Sequence, residues 1–541
     1  MKTTFVRRLL SFLFIFIIAK GTAFSNWYNK DINYYKIVTT KSGISRLDMR
    51  SLLEIAPELK AKSQAGLQLL YKGKQYPFYY TGNEQIDENG TIWFRGFHAQ
   101  GDTTYFNNYT NEAVFFLYYD IKQTSLRLNP IDTPLDANAK LDEVKYNYHY
   151  EKDIEYHLGY DVLNVETDRF EKWYWKILTD FPGGKAKNNL KTSLFTSQFL
   201  FFNSQKSSDA KLNINFSTPL EYGPPYEKYN RSIKAIVNYD TLSVVNFDSL
   251  VTVDSITISL KNTNLFHGTN ELSVLNATAD TANTEIGIDY FTFSFSGAPN
   301  AFSSTTSFDI SNLQVPSRIS VPGFSSNKIV IIDTLSNSIL FKEAEGKTRV
   351  IANIRGGDLP MLSMMINDEI YTYEHNGFHI GILPKSRKHS AFQSSKNMGN
   401  EIENLIPSIE NESIIVVAYN GTNEIPQYLR NWILLNGGNK IRNLGANELY
   451  IASFKTGVSG SIQEFTAATG NSSANNAPFI SADIHFPDSE NRAYSLDFSL
   501  SPGNYSLILS DSLAIETAKV FNTQASELRR KYNADMVIIT H

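Results

Sequence analysis

Ser255-Ile256-Thr257-Ile258-Ser259-Leu260 places an apolar residue at every second position, the period of a β-strand with one face buried and the other in water. The same alternation lies on its N-terminal side in Leu212-Asn213-Ile214-Asn215-Phe216, Ile233-Lys234-Ala235-Ile236-Val237 and Leu242 to Phe247. On its C-terminal side come Gly268-Thr269-Asn270-Glu271-Leu272-Ser273-Val274, read as a hairpin, and the strand Ile288-Asp289-Tyr290-Phe291-Thr292-Phe293-Ser294-Phe295. Successive short strands of this kind predict a β-sandwich over residues 190–300.

The composition extends that reading to the rest of the chain. Aromatic residues make up 13% of the 541 positions, with 30 Tyr and 35 Phe, while charged residues make up only 19%. That balance suits β-rich extracellular proteins better than helical bundles, so the expected class is mainly β. The length calls for several domains rather than one. There is no Cys, so disulfides and Cys-ligated metals are excluded, and so is a thiolate nucleophile. The formal net charge of −5 comes without a long basic run, which speaks against nucleic acid as a partner.

Lys2, Arg7 and Arg8 precede the apolar stretch Leu9 to Ala19 and the small residues Gly21-Thr22-Ala23. This is the layout of a secretory signal peptide, expected over residues 1–25 with cleavage after Ser25. The apolar run is about half the ~20 residues that a spanning helix needs, and no transmembrane segment is expected after cleavage. The chain is expected to be exported, to the cell surface, the outer membrane or the medium.

Residues 26–189 are expected to form a β-rich N-terminal module. Tyr34 to Val38 and Lys41 to Leu47 read as short strands around a glycine turn, and a helix follows over Met49 to Leu59. Leu67 to Pro77 and Asp87 to Gly96 then read as hairpins, and the aromatic runs Tyr105 to Thr110 and Val114 to Tyr119 as sheet core. After the sandwich, residues 301–347 form a strand-rich connector. In residues 348–468, helices at Met398 to Leu405 and Gln427 to Leu435 alternate with the apolar strands Ser413 to Tyr419 and Leu449 to Phe454. Asn-, Ser- and Ala-rich sequence from Gly470 to Pro478 reads as a linker. Within residues 469–525, Ala493 to Leu500 and Asn504 to Leu509 form a hairpin around Pro502-Gly503 that is expected to complete a small sheet with Ser304 to Leu340. Residues 526–541 read as a helix end, Ser526 to Tyr532, running into the apolar strand Met536 to Ile539.

Several of these words resemble one family. Ser526-Glu527-Leu528-Arg529-Arg530 and Ala534-Asp535 through His541 are similar to the opening of the catalytic domain in gingipain-type cysteine peptidases, which include the PorU-like sortases of type IX secretion. The Lys72-Gly73-Lys74 hairpin, the acidic turn into Trp93-Phe94 and the Tyr-rich run after it resemble the N-terminal module of the same proteins. The strands at 268–274 and 288–295 resemble the close of their jelly-roll. The order Gly377 to Leu383, Ser413 to Tyr419 and Leu444-Gly445 resembles the interleukin-like EMT inducer domain, an α+β module, although Phe392-Gln393-Ser394 and Asn420-Gly421 depart from its usual words. The resemblance implies a mainly β multidomain chain: a β-rich module, a jelly-roll, an interleukin-like EMT inducer domain at 348–468 and, over residues 526–541, the start of a truncated peptidase domain. Its catalytic His and Cys would lie downstream, and full-length relatives would be cysteine endopeptidases.

Catalytic, cofactor-binding and metal-ligating residues are accordingly expected to be none, and no cofactor is expected. The candidates weighed were few. Asp87-Glu88-Asn89 has the oxygen-rich composition of a calcium loop but lacks the EF-hand spacing, and reads as a solvated turn. His375 and His379 have the i, i+4 spacing of a helical zinc pair, yet Asn376-Gly377 between them favours a turn into a strand. Ser459 and Ser461 lie among glycines without the spacing of a nucleophile elbow. His541 belongs to the peptidase opening. The function expected is a non-catalytic N-terminal region of a secreted or surface gingipain-family protein, structural or partner-binding. Its partner would be a separate peptidase domain or type IX secretion components. The alternative is a complete secreted β-rich adhesion or carbohydrate-binding protein.

Overall fold

The computed structural model describes residues 29–523, save residue 30 and a series of interior stretches, the longest being 157–172, 181–193, 218–229 and 469–478. The expected leader at 1–25, the linker at 470–478 and everything expected from 526 onward lie outside the described residues. Within them the chain is mainly β, its strands gathered into several separate sheets with a few short helices. No helix among the described residues is long and apolar enough to cross a membrane. The chain divides into two compact units, residues 1–129 with 515–541, and residues 130–514.

In the first unit, strand Tyr34–Thr39 pairs on one side with Ala113–Tyr119 and on the other with Lys519–Thr523, so the two ends of the described chain share a sheet. A second sheet holds Gly43–Asp48 between Thr91–Gly96 and the short Glu516–Thr517. Ile37, Leu47, Leu52, Leu69, Ile92, Phe94 and Phe115 meet in one core. The strands either side of Gly43 therefore do not pair with each other. Gly43, at φ 145°, turns the chain from one sheet into the other, in a backbone region that side chains with a Cβ rarely adopt. The single helix expected over 49–59 is also broken in two, into α-helix Met49–Ile55 and 3-10 turn Pro57–Leu59. Proline disfavours the helical conformation in the residue before it, and Ala56 lies at φ −134°, ψ 57°.

The second unit contains the sandwich. One of its sheets is long and antiparallel: Val253–Leu260, Ala210–Ser217, Thr284–Gly297, Val144–Glu151, Thr305–Leu313, Gly503–Asp511, Lys328–Asp333 and Ser338–Glu343 lie side by side in that order. Facing it is the sheet Leu194–Phe201, Gly268–Asn276, Asn230–Val237, Asp240–Asp248. The alternation read at 212–216 and 288–295 sends Leu212, Ile214, Phe216, Phe291, Phe293 and Phe295 into the shared core, where they meet Phe199 and Phe201. Phe199 and Phe293 sit edge to face at 4.6 Å, a preferred arrangement of ring quadrupoles.

The late hairpin does pair with the earlier segment: Gly503–Asp511 lies between Thr305–Leu313 and Lys328–Asp333, and Tyr494–Leu500 pairs with Ser317–Phe324. It does not make a small sheet of its own. The strand at 503–511 continues the long sheet of the sandwich.

Glu345–Arg355 then leads into a two-sheet arrangement. It pairs with Met361–Ile366 on one side and Phe479–Pro487 on the other. Against them lies a five-stranded antiparallel sheet ordered Ala391–Ser395, Phe378–Leu383, Ile414–Tyr419, Glu448–Lys455, Gln463–Ala468. Its central strand is buried on both faces. Ile414, Val416 and Ala418 pack against Val350, Ala352 and Ile484, while Ile415, Val417 and Tyr419 pack under the helices with Ile402, Leu429 and Ile433. Such a strand reads in sequence as an unbroken apolar run. The helices are Asn400–Leu405 and Gln427–Leu435.

Candidate functional site

Two polar constellations interrupt the cores of the second unit. The first arises because Glu345–Arg355 has two faces. Val350, Ala352 and Ile354 enter the apolar core, so the period of two turns Arg349 and Asn353 to the opposite side. Arg349 is 2% exposed. Its Nε donates to Asp483 Oδ1 at 2.8 Å and its Nη2 to Asp483 Oδ2 at 2.6 Å, a bidentate fork. Asp483 comes from Phe479–Pro487, paired in register with Glu345–Arg355.

Nη2 also lies 2.8 Å from His267 Nε2. Guanidinium can only donate, so Nε2 accepts and His267 carries its proton on Nδ1. Burial pushes this imidazole down to about 4, which agrees with a neutral ring. Burial alone would raise the Asp483 carboxyl, but the charge and hydrogen bonds of Arg349 outweigh it and hold it well below the usual carboxylate range. Asn353 Nδ2 donates to the His267 carbonyl at 2.6 Å, and Ser481 Oγ donates to Asn353 Oδ1 at 2.8 Å. Phe202 packs against both His267 and Arg349. The centre thus straps three distant segments, near 267, 349 and 483, through Arg349 Nε and Nη2, while its Nη1 is buried without a hydrogen-bond partner among the described residues.

The second constellation sits where strand Glu369–Tyr373 turns into Phe378–Leu383. His375 Nδ1 is 3.0 Å from the Asn376 carbonyl, so it donates there, and Nε2 is 3.2 Å from Ser394 Oγ. His379 is fully buried, and neither of its ring nitrogens meets a partner at good hydrogen-bond geometry among the described residues, although the Asn420 side chain and the His375 backbone approach closely enough to offset part of the effect of burial. Burial pushes it, too, down to about 4, with a smaller contribution from His375. Tyr373 packs 4.6 Å from its ring and His375 5.0 Å. Gly377, at φ 147°, makes the turn anticipated from Asn376-Gly377. The two histidines are therefore neighbours through a turn into a strand, not through a helix face.

The remaining sequence candidates lie apart. Asp87 Oδ1 accepts from Asn89 N–H at 2.9 Å and Oδ2 from Asn83 at 2.6 Å, while Glu88 reaches Lys60 at 3.1 Å, an Asx turn with a surface ion pair. Ser461 Oγ caps its own loop, donating to Val458 O at 2.8 Å and accepting from Lys455 N–H at 3.0 Å. Ser459 is exposed on the same turn. His541 lies outside the described residues. No group of three or more His, Cys, Asp or Glu that could hold a metal occurs among the described residues.

The Arg349 centre escaped sequence reasoning because its members lie 82 and 134 positions apart. The one local signal was a polar file, Ser481, Asp483 and His485, alternating with Ile480, Ala482, Ile484 and Phe486.

No family model matches the chain. No curated protein matches it either. Among solved structures, it is similar to dimeric latent PorU from Porphyromonas gingivalis, at 12% identity and a TM-score of 0.37, over 58% of this chain and 29% of that one. It is also similar to tripeptidyl peptidase 2, at 9% identity and a TM-score of 0.16, over 76% of this chain and 37% of that one. The chain thus spans less than a third of the length of the PorU chain and well under half of the other.

Proposed function

We propose that these residues form a β-built region, without peptidase catalysis, of an exported gingipain-family, PorU-like protein, and that the region works as a scaffold presenting or docking a partner. The observation that carries this reading is the Arg349 centre: its guanidinium, the Asp483 carboxylate and the His267 imidazole bind one another and so hold strands together. The absence of Cys from all 541 positions supports it, since the thiol chemistry of that family needs a thiolate. So do the sequence words at 526–541 and 67–96. On this reading the peptidase chemistry belongs to a separate, cysteine-bearing partner.

The test is to mix the chain from residue 26 onward with a separately produced gingipain-type catalytic domain whose cysteine is replaced by alanine. Analytical ultracentrifugation at micromolar concentration is expected to show a one-to-one complex. Two species sedimenting independently would sink the docking role. N-terminal sequencing of protein recovered outside the cytoplasm is expected to begin at Asn26, and a retained Met1 would remove the export half of the proposal.

A further inference from the structure

The turn that passes the chain between the two sheets of the first unit carries Lys41-Ser42-Gly43. Ser42 is exposed, and its Oγ lies 2.7 Å from Nδ1 of His98, a residue only 7% exposed. The other ring nitrogen, Nε2, is 3.0 Å from the carbonyl oxygen of Tyr105. A carbonyl can only accept, so that partner assigns the proton to Nε2 and leaves the Nδ1 lone pair facing the serine hydroxyl. The rings of Tyr105 and Phe106, 4.5 and 5.2 Å from the imidazole, hold its plane.

The serine side is held as firmly. Glu516 accepts from Thr40 N–H at 2.8 Å, from Thr40 Oγ1 at 2.7 Å and from Lys41 N–H at 3.2 Å, and Gly43 turns the chain immediately after Ser42. Ser42 itself is exposed to solvent. A hydroxyl within hydrogen-bond reach of a base that is itself oriented by a third group is the arrangement of an activated nucleophile.

We propose that Ser42 is such a nucleophile, with His98 as its general base and the Tyr105 carbonyl as the group that sets the tautomer, and that it accepts an acyl group from an activated carboxylic ester. Ser42 Oγ bonds to the acyl carbon while its proton passes to His98 Nδ1. The ester C–O bond then breaks, and the leaving alcohol takes that proton, which restores the neutral imidazole and leaves acyl-Ser42. Water attacking the acyl carbon, with His98 again accepting and returning a proton, releases the carboxylic acid. This chemistry lies in a different unit from the Arg349 centre and stands whether or not the chain docks a peptidase.

The probe is a fluorophosphonate, which bonds to Ser42 Oγ through phosphorus with loss of fluoride, its proton going to His98. One label per chain is expected, on the peptide containing Ser42. Ser42→Ala is expected to abolish that label while the variant stays folded by circular dichroism. His98→Gln keeps a donor for the Tyr105 carbonyl but supplies no base, and is expected to slow labelling about 100-fold. No label on the Ser42 peptide of the wild-type chain, or one formed equally fast in a folded His98→Gln variant, would overturn the proposal.

Discussion

His267 and His379 are both shut off from water, at 4% side-chain and 0% residue exposure, and burial pushes both down to about 4. Their surroundings differ. His267 accepts from Arg349, which grips Asp483 in a fork, and its own carbonyl accepts from Asn353. His379 faces Tyr373 and His375, and neither of its ring nitrogens meets a partner at good hydrogen-bond geometry among the described residues, only the looser approach of Asn420 and the His375 backbone. Burial is the largest cause of the shift at both sites, with charged neighbours adding to or offsetting it. The partners decide whether a buried imidazole ties strands together or costs the fold an unmade hydrogen bond.

The strongest way to break the contrast is Asp483→Ala. It strips both oxygens from a guanidinium that is 2% exposed, and removing one partner of a buried pair costs about 3–5 kcal/mol. Because the Asp483 side chain keeps 30% exposure, the expected loss is near the lower figure. Hydrogen exchange in Glu345–Arg355 and Phe479–Pro487 would report it locally, which suits a chain of more than one cooperative unit. A loss below about 1 kcal/mol would place Arg349 with the loosely held His379 rather than opposite it. The double change Arg349→Met with Asp483→Leu is expected to recover most of the loss, since no unpaired charge remains buried.

Acidification sharpens the contrast over two pH windows. An unfolded histidine takes up its proton near ~6.5, whereas His267 and His379 do so in the folded protein only at about 4. Between those values the unfolded state binds more protons, so stability falls as pH drops from ~6.5 toward 4. The carboxyl of Asp483 is shifted down in the folded state. Its contribution is therefore complete above the unfolded value of ~3.9 and is lost as pH falls further, through the folded value. His379→Leu is expected to remove about one proton's share of the upper window, about 1.4 kcal/mol per pH unit, and to leave the lower one untouched. A pH profile unchanged by the substitution would mean that His379 titrates normally.

The smallest effect expected is that of the same His379→Leu variant at pH 7. Replacing an imidazole that has no partner at good hydrogen-bond geometry by an apolar side chain of similar size should be neutral or stabilising by about 0.5–1 kcal/mol in urea unfolding. A loss of more than about 2 kcal/mol would show that the ring nitrogens do have partners, and the contrast with His267 would collapse.

Elements whose signal is local were legible in the sequence. The alternation at 212–216 was legible as a strand with every second residue in the core, and 288–295 as a strand, although its buried positions change phase between Ile288 and Phe291. The apolar run 413–419 gave a strand buried on both faces, and helix Gln427–Leu435 occurs where its pattern placed it. Even the break at Ala56 had a local cause in Pro57, although a continuous helix had been expected there. Gly43 was legible as a turn but not as a passage between sheets, because a strand's partner is not written in the strand. The same limit hid the Ser42–His98 contact, which joins residues 56 positions apart.

The sequence by itself determined the mainly β class, the strand character of the alternating segments and the absence of any cysteine chemistry in these residues. Side-chain period and residue identity are properties of single segments, and folding does not alter them. Only the tertiary structure decided that the strand at 519–523 lies beside the one at 34–39, that Arg349 finds Asp483 and His267, and that His98 meets Ser42. Those pairings depend on which sheet edges come together, a choice made by the burial of many side chains at once.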